Sequence, residues 1–253
     1  DETIMTTSKK RFEDFMEKYP TTSKSNGNGK SNGNGNGTHK GLPFWCETRP
    51  ESMTYERVKG FVDVGMAAVN IGVESGNEVF RRDKLHRNVT NDRMIKGIYD
   101  AIKAGANIGA NIIIGFPGET REMIFETIEL VRAARQTASD ELGEKLANER
   151  LSSMIHLYQP YSGTPLRQEA INMGLIPKDY ISGDYRIDSI GTGKMTGDEL
   201  KGIQRTFNLY VDSPKQIWGD IKIAEKFTNE GNAKFAEYAK KYQLKHFGRT
   251  SFS

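Results

Sequence analysis

The chain has a single cysteine, Cys46, among its 253 residues. One thiol cannot close an internal disulfide and suits a reducing compartment, so a cytoplasmic location is expected. Nothing approaches the roughly 18 consecutive apolar residues of a membrane-spanning helix. The opening residues, Asp1 to Lys10, are polar and lack the apolar core of a secretion signal. An excess of one charge is missing too, the net being +3. No basic cluster is dense enough to track a phosphate backbone or an anionic surface, so neither nucleic acid nor a membrane is expected as a partner. Histidine is sparse, and His39, His86, His156 and His246 show no metal-ligand spacing. Nucleophile elbow, Walker lysine and H-E-x-x-H patterns are all lacking. What is present, 36% hydrophobic and 27% charged residues, is enough to build a sizeable core in a globular domain.

Residues Thr21 to Lys40 are rich in Asn, Gly and Ser and almost free of apolar side chains. Such a segment cannot offset its ordering entropy by burial and reads as a flexible loop or linker. After it, strand and helix patterns alternate. Pro43 to Thr48 reads as a strand. Thr54 opens a helix with Val58, Phe61 and Val62 on one face, ended by Gly65. Ala68 to Val73 is a strand, and Thr90 caps a helix carrying Met94, Ile95, Ile98 and Ile102 up to Gly105. Ile108 to Ile114 is a near-continuous apolar strand, as when both sheet faces are covered. Thr120 caps a helix bearing Ile124, Ile128 and Val131. The charged run Ser139 to Asn148 extends it into solvent. Met154 to Tyr158 is a strand and Leu166 to Met173 a short helix. This is βα repetition around a parallel sheet, open or curled into a barrel. From Pro177 the pattern changes to three helices, Thr196 to Tyr210, Pro214 to Asn229 and Ala233 to Lys245. The predicted organisation is an α/β partial barrel over 1–176, with the loop 21–40 inside it, and a helical region over 177–253.

In parallel α/β folds, function gathers at the C-terminal ends of strands. Those ends read Trp45-Cys46-Glu47-Thr48-Arg49, then Gly72-Val73-Glu74-Ser75-Gly76, then Gly115-Phe116-Pro117-Gly118-Glu119-Thr120, then Tyr158-Gln159-Pro160-Tyr161. Glu74 at a strand tip suits a ribose diol, or equally a salt bridge. Gly115 and Gly118 permit a ligand to approach the backbone, or simply make a tight turn. Arg87 suits a carboxylate bidentately, or is a surface charge. Cys46 reads as a small core residue, and His156 as a hydrogen-bonded strand residue.

In order, VNIGVESG, Arg87 within KLHRNVT, ANIIIGFPGET and YQPYSGTPL resemble the radical S-adenosylmethionine (radical SAM) superfamily, most closely its cobalamin-associated branch. Asp1-Glu2-Thr3 is similar to the acidic end of that family's second barrel strand, and WCETRPE to its third. The resemblance implies a truncated TIM-like barrel and an enzyme in which a [4Fe–4S] cluster, held by three cysteines, binds and reductively cleaves S-adenosylmethionine. It implies Glu74 with Ser75 at the ribose and Arg87 at the methionine carboxylate. Ile114, Gly115 and Gly118 would lie at the adenine, with Tyr158 near the ring. It further implies an unknown small-molecule substrate, a reductant such as flavodoxin or ferredoxin, and a cobalamin domain upstream.

The sequence departs from that family in its cysteines. A cluster needs three thiolates, and the chain has one, on a different strand. The expectation is therefore a C-terminal fragment that needs the missing N-terminal half of its barrel as partner and has no radical activity alone. Two other readings stand beside it. One is a cluster-free module that binds a nucleoside or a partner protein, with the helices from Thr196 onward as interface. The other is a polar acid–base enzyme using Glu74, Glu119 and His156.

Overall fold

A computed structural model describes residues 8–22 and 42–247. Along them run α1 (Lys9–Thr22), β1 (Phe44–Thr48), α2 (Tyr55–Asp63), β2 (Met66–Glu74), α3 (Glu78–Asp83), α4 (Asn91–Ala104), β3 (Asn107–Ile114), α5 (Arg121–Leu142), α6 (Glu144–Arg150) and β4 (Leu151–Leu157). Helices α7 (Pro165–Asn172), α8 (Gly197–Asp212), α9 (Trp218–Ala224) and α10 (Asn229–Phe247) follow. The four strands make one parallel sheet in chain order, β1-β2-β3-β4. That is the order successive βα units lay down when each crossover has the same hand. The fold is the expected α/β one, with helices alone after β4.

The local reasons match the sequence. Thr54 Oγ1 accepts the Arg57 amide at 3.4 Å and starts α2, whose Val58 and Phe61 are fully buried. In β3, Ile108, Ala110, Ile112 and Ile114 are buried, while Asn111 and Ile113 on the alternate positions are half-buried. Three expectations change. Thr21 and Thr22 belong to α1, so only part of 21–40 is non-helical by sequence, and its remainder lies outside the described residues, as do Asp1-Glu2-Thr3. The 139–148 run is not one helix, because Gly143 at φ 95° separates α5 from α6. The segment 214–229 holds only a 3-10 turn, Lys215–Ile217, and the short α9.

The chain divides into two compact units. The first comprises the described residues up to Val73 with Asp92–Ala110 and Ala134–Ser152. In it β1 pairs with β2 in the register Cys46↔Val69 and Thr48↔Ile71. Helix α1 is held by aromatics, Phe12 and Phe15 lying 5.1 and 5.5 Å from the Phe61 ring. Cys46 is buried, its Sγ 3.5 Å from Met66 Sδ, and burial pushes its thiol up to about 11. It is the core residue the sequence suggested.

The second unit comprises Glu74–Asn91, Asn111–Ala133 and Ser153–Ser253. The boundary expected at 176/177 falls inside it. Helix α8 opens on a capping box between Thr196 and Glu199. Its flank meets the outer edge of β4: Gln204 Nε2 donates to Ile155 O at 3.1 Å and Asn208 Nδ2 to Ser153 O at 3.3 Å. The spacing explains the fit. Four residues along a helix rise about 6 Å and two along a strand about 6.6 Å, so the two side chains meet alternate carbonyls. Leu157 N donates on the same edge to Tyr185 O at 2.7 Å. The edge that would otherwise recruit another strand is thus satisfied by side chains and a loop. Replacing Gln204 and Asn208 together by Leu is expected to lower stability by about 2 kcal/mol, roughly 1 for each lost bond. Urea unfolding reads this directly, and an unchanged midpoint would refute the edge-capping role.

Candidate functional site

The site grows from the end of β2. Glu74 has φ 62°, a left-handed conformation that costs a residue with a Cβ roughly 1–2 kcal/mol. Such strain persists only where surroundings over-determine it, and here they do. The Gly76 amide donates to Thr127 Oγ1 at 2.7 Å. Asn77 caps α3 through the Phe80 amide at 2.7 Å, and its Nδ2 donates to both Glu126 oxygens at 3.0 and 2.9 Å. The chain then returns past its own start. Arg87 Nη1 lies 3.8 Å from Glu74 Oε1, with both side chains largely buried. Asn91 Nδ2 donates to Gly76 O at 2.9 Å. Between the two arms sits Arg81, fully buried, donating to Ser75 O and Val89 O.

A second loop joins β3 to α5. Gly115 and Gly118 take φ 92° and 79°, which only glycine adopts freely. Glu119 is fully buried beneath this loop. Its Oε2 accepts the Gly115 amide at 2.6 Å and the Phe116 amide at 3.3 Å, while its Oε1 has no partner among the described residues. Burial pushes the carboxyl up to about 8, against the two amides, which favour the anion. The Gly118 amide donates to Thr192 O at 2.9 Å and the Tyr158 amide to Ile114 O at 2.8 Å.

Aromatic rings join the parts. Phe80 of α3 lies 5.6 Å from Phe116, and Phe116 5.3 Å from Tyr158. Leu85, Ile113, Met123, Leu166 and Ile190 pack against them. The Glu74–Arg87 pair and the glycine loop therefore stand on one apolar floor, with charged groups above carbon, an arrangement suited to an amphipathic ligand.

The expected site residues fall out as follows. Glu74 and Arg87 are brought together. Ser75 is fully buried and its Oγ accepts the Asn77 amide at 3.3 Å, so its hydroxyl shapes the turn and does not face a ligand. At the Ile114-Gly115 backbone the structure corrects the sequence: the Gly115 N–H is spent on Glu119 and Ile114 O already accepts from Tyr158. Only the second lone pair of that carbonyl remains for an adenine. Gly118 is needed for its φ, since a Cβ there would meet nothing within 4 Å. Tyr158 contributes its ring, and burial raises its phenol. His156 is half-buried, 3.5 Å from Asn111 Oδ1, its pKa lowered by burial. Glu74, Glu119 and His156 engage separate partners, which removes the acid–base set. Tyr185, Arg186 and Asp188 form a surface turn, with Arg186 paired to Asp184 at 2.7 Å and Asp188 Oδ2 accepting the Asp184 amide at 2.7 Å. Sequence reading did not find Arg81 or the clamp of Glu119. The G-x-x-x-E spacing from Gly115 was the available signal for the second.

These strand-end loops are those of a radical SAM domain, and comparison with known families agrees. The sequence model of the Radical SAM superfamily matches residues 12–131, so that segment is a radical SAM superfamily domain. Among individual proteins, the chain is similar to tRNA-2-methylthio-N(6)-dimethylallyladenosine synthase of Leifsonia xyli subsp. xyli (strain CTCB07), 29% identical over 161 residues, 62% of this chain and 24% of that one. The protein of the same name from Nocardioides sp. (strain ATCC BAA-499 / JS614) is 37% identical over 73 residues, 28% of this chain and 14% of that one. The chain thus spans about a quarter or less of the length of these relatives. Neither name refers to cobalamin, so these relatives lend no support to the cobalamin-associated branch.

The family implies a [4Fe–4S] cluster, and the residues present do not fit one. Three thiolates are needed; the chain has Cys46 alone, buried against Met66 with its thiol held protonated. Among the described residues no group of His, Cys, Asp and Glu is placed to hold a metal. No helix among them is long and apolar enough to cross a membrane.

Proposed function

We propose that this chain supplies the S-adenosylmethionine-binding part of a radical SAM enzyme acting on a small-molecule substrate. One observation carries the reading: a strained carboxylate, Glu74, and an arginine, Arg87, share a half-buried strand-end site 3.8 Å apart over an aromatic floor. Glu74 would accept the ribose hydroxyls, Arg87 would hold the methionine carboxylate, and Phe116 and Tyr158 would exclude water beneath the adenine. The separation is that of an ion pair and exceeds a hydrogen bond, so each partner is preorganised without being locked to the other. When bound, S-adenosylmethionine supplies a sulfonium carbon that can be cleaved. This chain's task is orientation and exclusion of water. The thiolates for a cluster, and with them turnover, would come from outside these 253 residues. A small substrate is preferred to tRNA because the net charge of +3 offers no phosphate track.

The single buried cysteine equally favours a second reading, a cluster-free module that binds the nucleoside without turnover. Both readings require the same binding step. S-adenosylhomocysteine titrated into the chain and followed by NMR is expected to bind saturably. Arg87→Ala should weaken it about tenfold or more, the worth of a charge-assisted hydrogen bond. Absence of saturable binding to the wild-type chain would overturn both readings.

A further inference from the structure

We infer that Arg81 is a positioning residue that fixes the distance between the ribose-binding and carboxylate-binding arms of the strand-end site; the inference rests on the S-adenosylmethionine reading above. The run Phe80-Arg81-Arg82-Asp83 looks like a short charged helix face, yet its members part company in the fold. Arg82 pairs with Asp83 at 2.7 Å in solvent. Arg81 is 0% exposed and the largest fully buried side chain in the protein. Removing a guanidinium from water is costly unless its donors are met. What meets them is the site itself.

Nη1 donates to Ser75 O, one residue after Glu74, and Nη2 to Val89 O, two residues after Arg87. The Arg81 carbonyl accepts the Arg87 amide at 3.0 Å. One residue therefore touches both arms, by a rigid planar fork on one side and by its own backbone on the other. A guanidinium presents its two amino groups at a fixed spacing, which a lysine ammonium on a flexible stem cannot reproduce. Asn91, bonded to Gly76 O at 2.9 Å, closes the same two strands of chain further out, away from Glu74 and Arg87. Arg81 contacts none of the groups proposed to touch the ligand by side chain, so it acts through their spacing.

Spacing has a specific readout. A ligand with both a nucleoside and an amino-acid end gains affinity over the nucleoside alone only if both arms are at the right separation. The probes are 5′-methylthioadenosine, which has no carboxylate, and S-adenosylhomocysteine, which has one. In the wild-type chain the second should bind tighter than the first by about tenfold or more, and Arg87→Ala should abolish that ratio. Arg81→Lys is expected to reduce the ratio close to one while the methylthioadenosine affinity changes by less than about threefold. The double variant Arg81→Lys/Arg87→Ala should lose nothing beyond Arg87→Ala, since residues acting through one another are not additive. A folded Arg81→Lys chain that keeps the wild-type ratio overturns the inference. So does equal weakening of both probes, which is what a merely structural role would give. Arg81→Gln, which fills similar volume and keeps one donor group, repeats the test if the lysine variant does not fold. A wild-type chain that binds neither probe refutes the S-adenosylmethionine reading itself, a result distinct from any of these.

Discussion

Gly76→Ala is expected to lower stability by about 3 kcal/mol and to abolish S-adenosylhomocysteine binding. A Cβ on Gly76 would lie 2.5 Å from Glu126 O and 2.5 Å from Thr127 Cα. Both are backbone atoms of α5, which cannot swing aside as a side-chain tip can, so either the helix or the 74–77 turn has to move. Overpacking of this kind costs typically 1–3 kcal/mol, sometimes more. Movement also breaks the 2.7 Å bond from the Gly76 amide to Thr127 and the bonds from Asn77 to Glu126. Those bonds hold Glu74 in its left-handed conformation, so the turn should relax and take the carboxylate with it. For a chain of this size 3 kcal/mol corresponds to roughly 6–12 °C in Tm. Gly118→Ala is the informative contrast. Its Cβ meets nothing within 4 Å, leaving only the backbone penalty of roughly 1–2 kcal/mol. Thermal unfolding in which Gly76→Ala is no worse than Gly118→Ala would refute the crowding argument.

The second large effect is one of pH. Burial raises the Glu119 carboxyl from 4.5 to about 8. Between those values the folded chain holds a proton that the unfolded chain has released. Its contribution to stability is therefore fully present below about 4.5 and is lost as the pH rises through about 8. Above that, an anion is forced into a site where two amides meet one oxygen and no partner meets the other. Glu119→Gln removes the titration and keeps an acceptor for the Gly115 and Phe116 amides. Relative to wild type, the variant should gain on the order of a few kcal/mol between pH 5 and pH 9, one pKa unit being worth about 1.4 kcal/mol. Denaturant unfolding of both proteins across that range measures the difference, in which other titrating groups cancel. A difference independent of pH would show that Glu119 is ionised throughout.

Much of the fold was legible because it is periodic. Thr54, Gly65, Thr120 and the 3.6-residue spacing of Ile124, Ile128 and Val131 mark helix ends and faces by local rules, and the parallel sheet in chain order followed from strand–helix alternation. Glu74 and Arg87 were legible as candidates because each sits at a strand end or just beyond it, within motifs whose order resembles a known family. Less local features were misread. The 139–148 run looked like one helix until Gly143 broke it, and 214–229 looked helical throughout although α9 is only Trp218–Ala224. The Ile114-Gly115 backbone looked available, because no local pattern says that Glu119 folds back under it.

The sequence by itself therefore determined what depends on neighbours within a few positions: the elements, their caps, the strand-end location of function, and, by its one cysteine, that these residues cannot hold an iron–sulfur cluster. Only the tertiary structure decided which of two adjacent arginines is a solvated charge and which a buried brace. Arg81 and Arg82 are the same residue type with nearly the same local context. They differ in what the chain brings to them: solvent and Asp83 for Arg82, and for Arg81 the carbonyls of Ser75 and Val89, six residues before it and eight after. Burial of a charge is settled by such returning segments, since a guanidinium leaves water only where the folded backbone offers acceptors in its place.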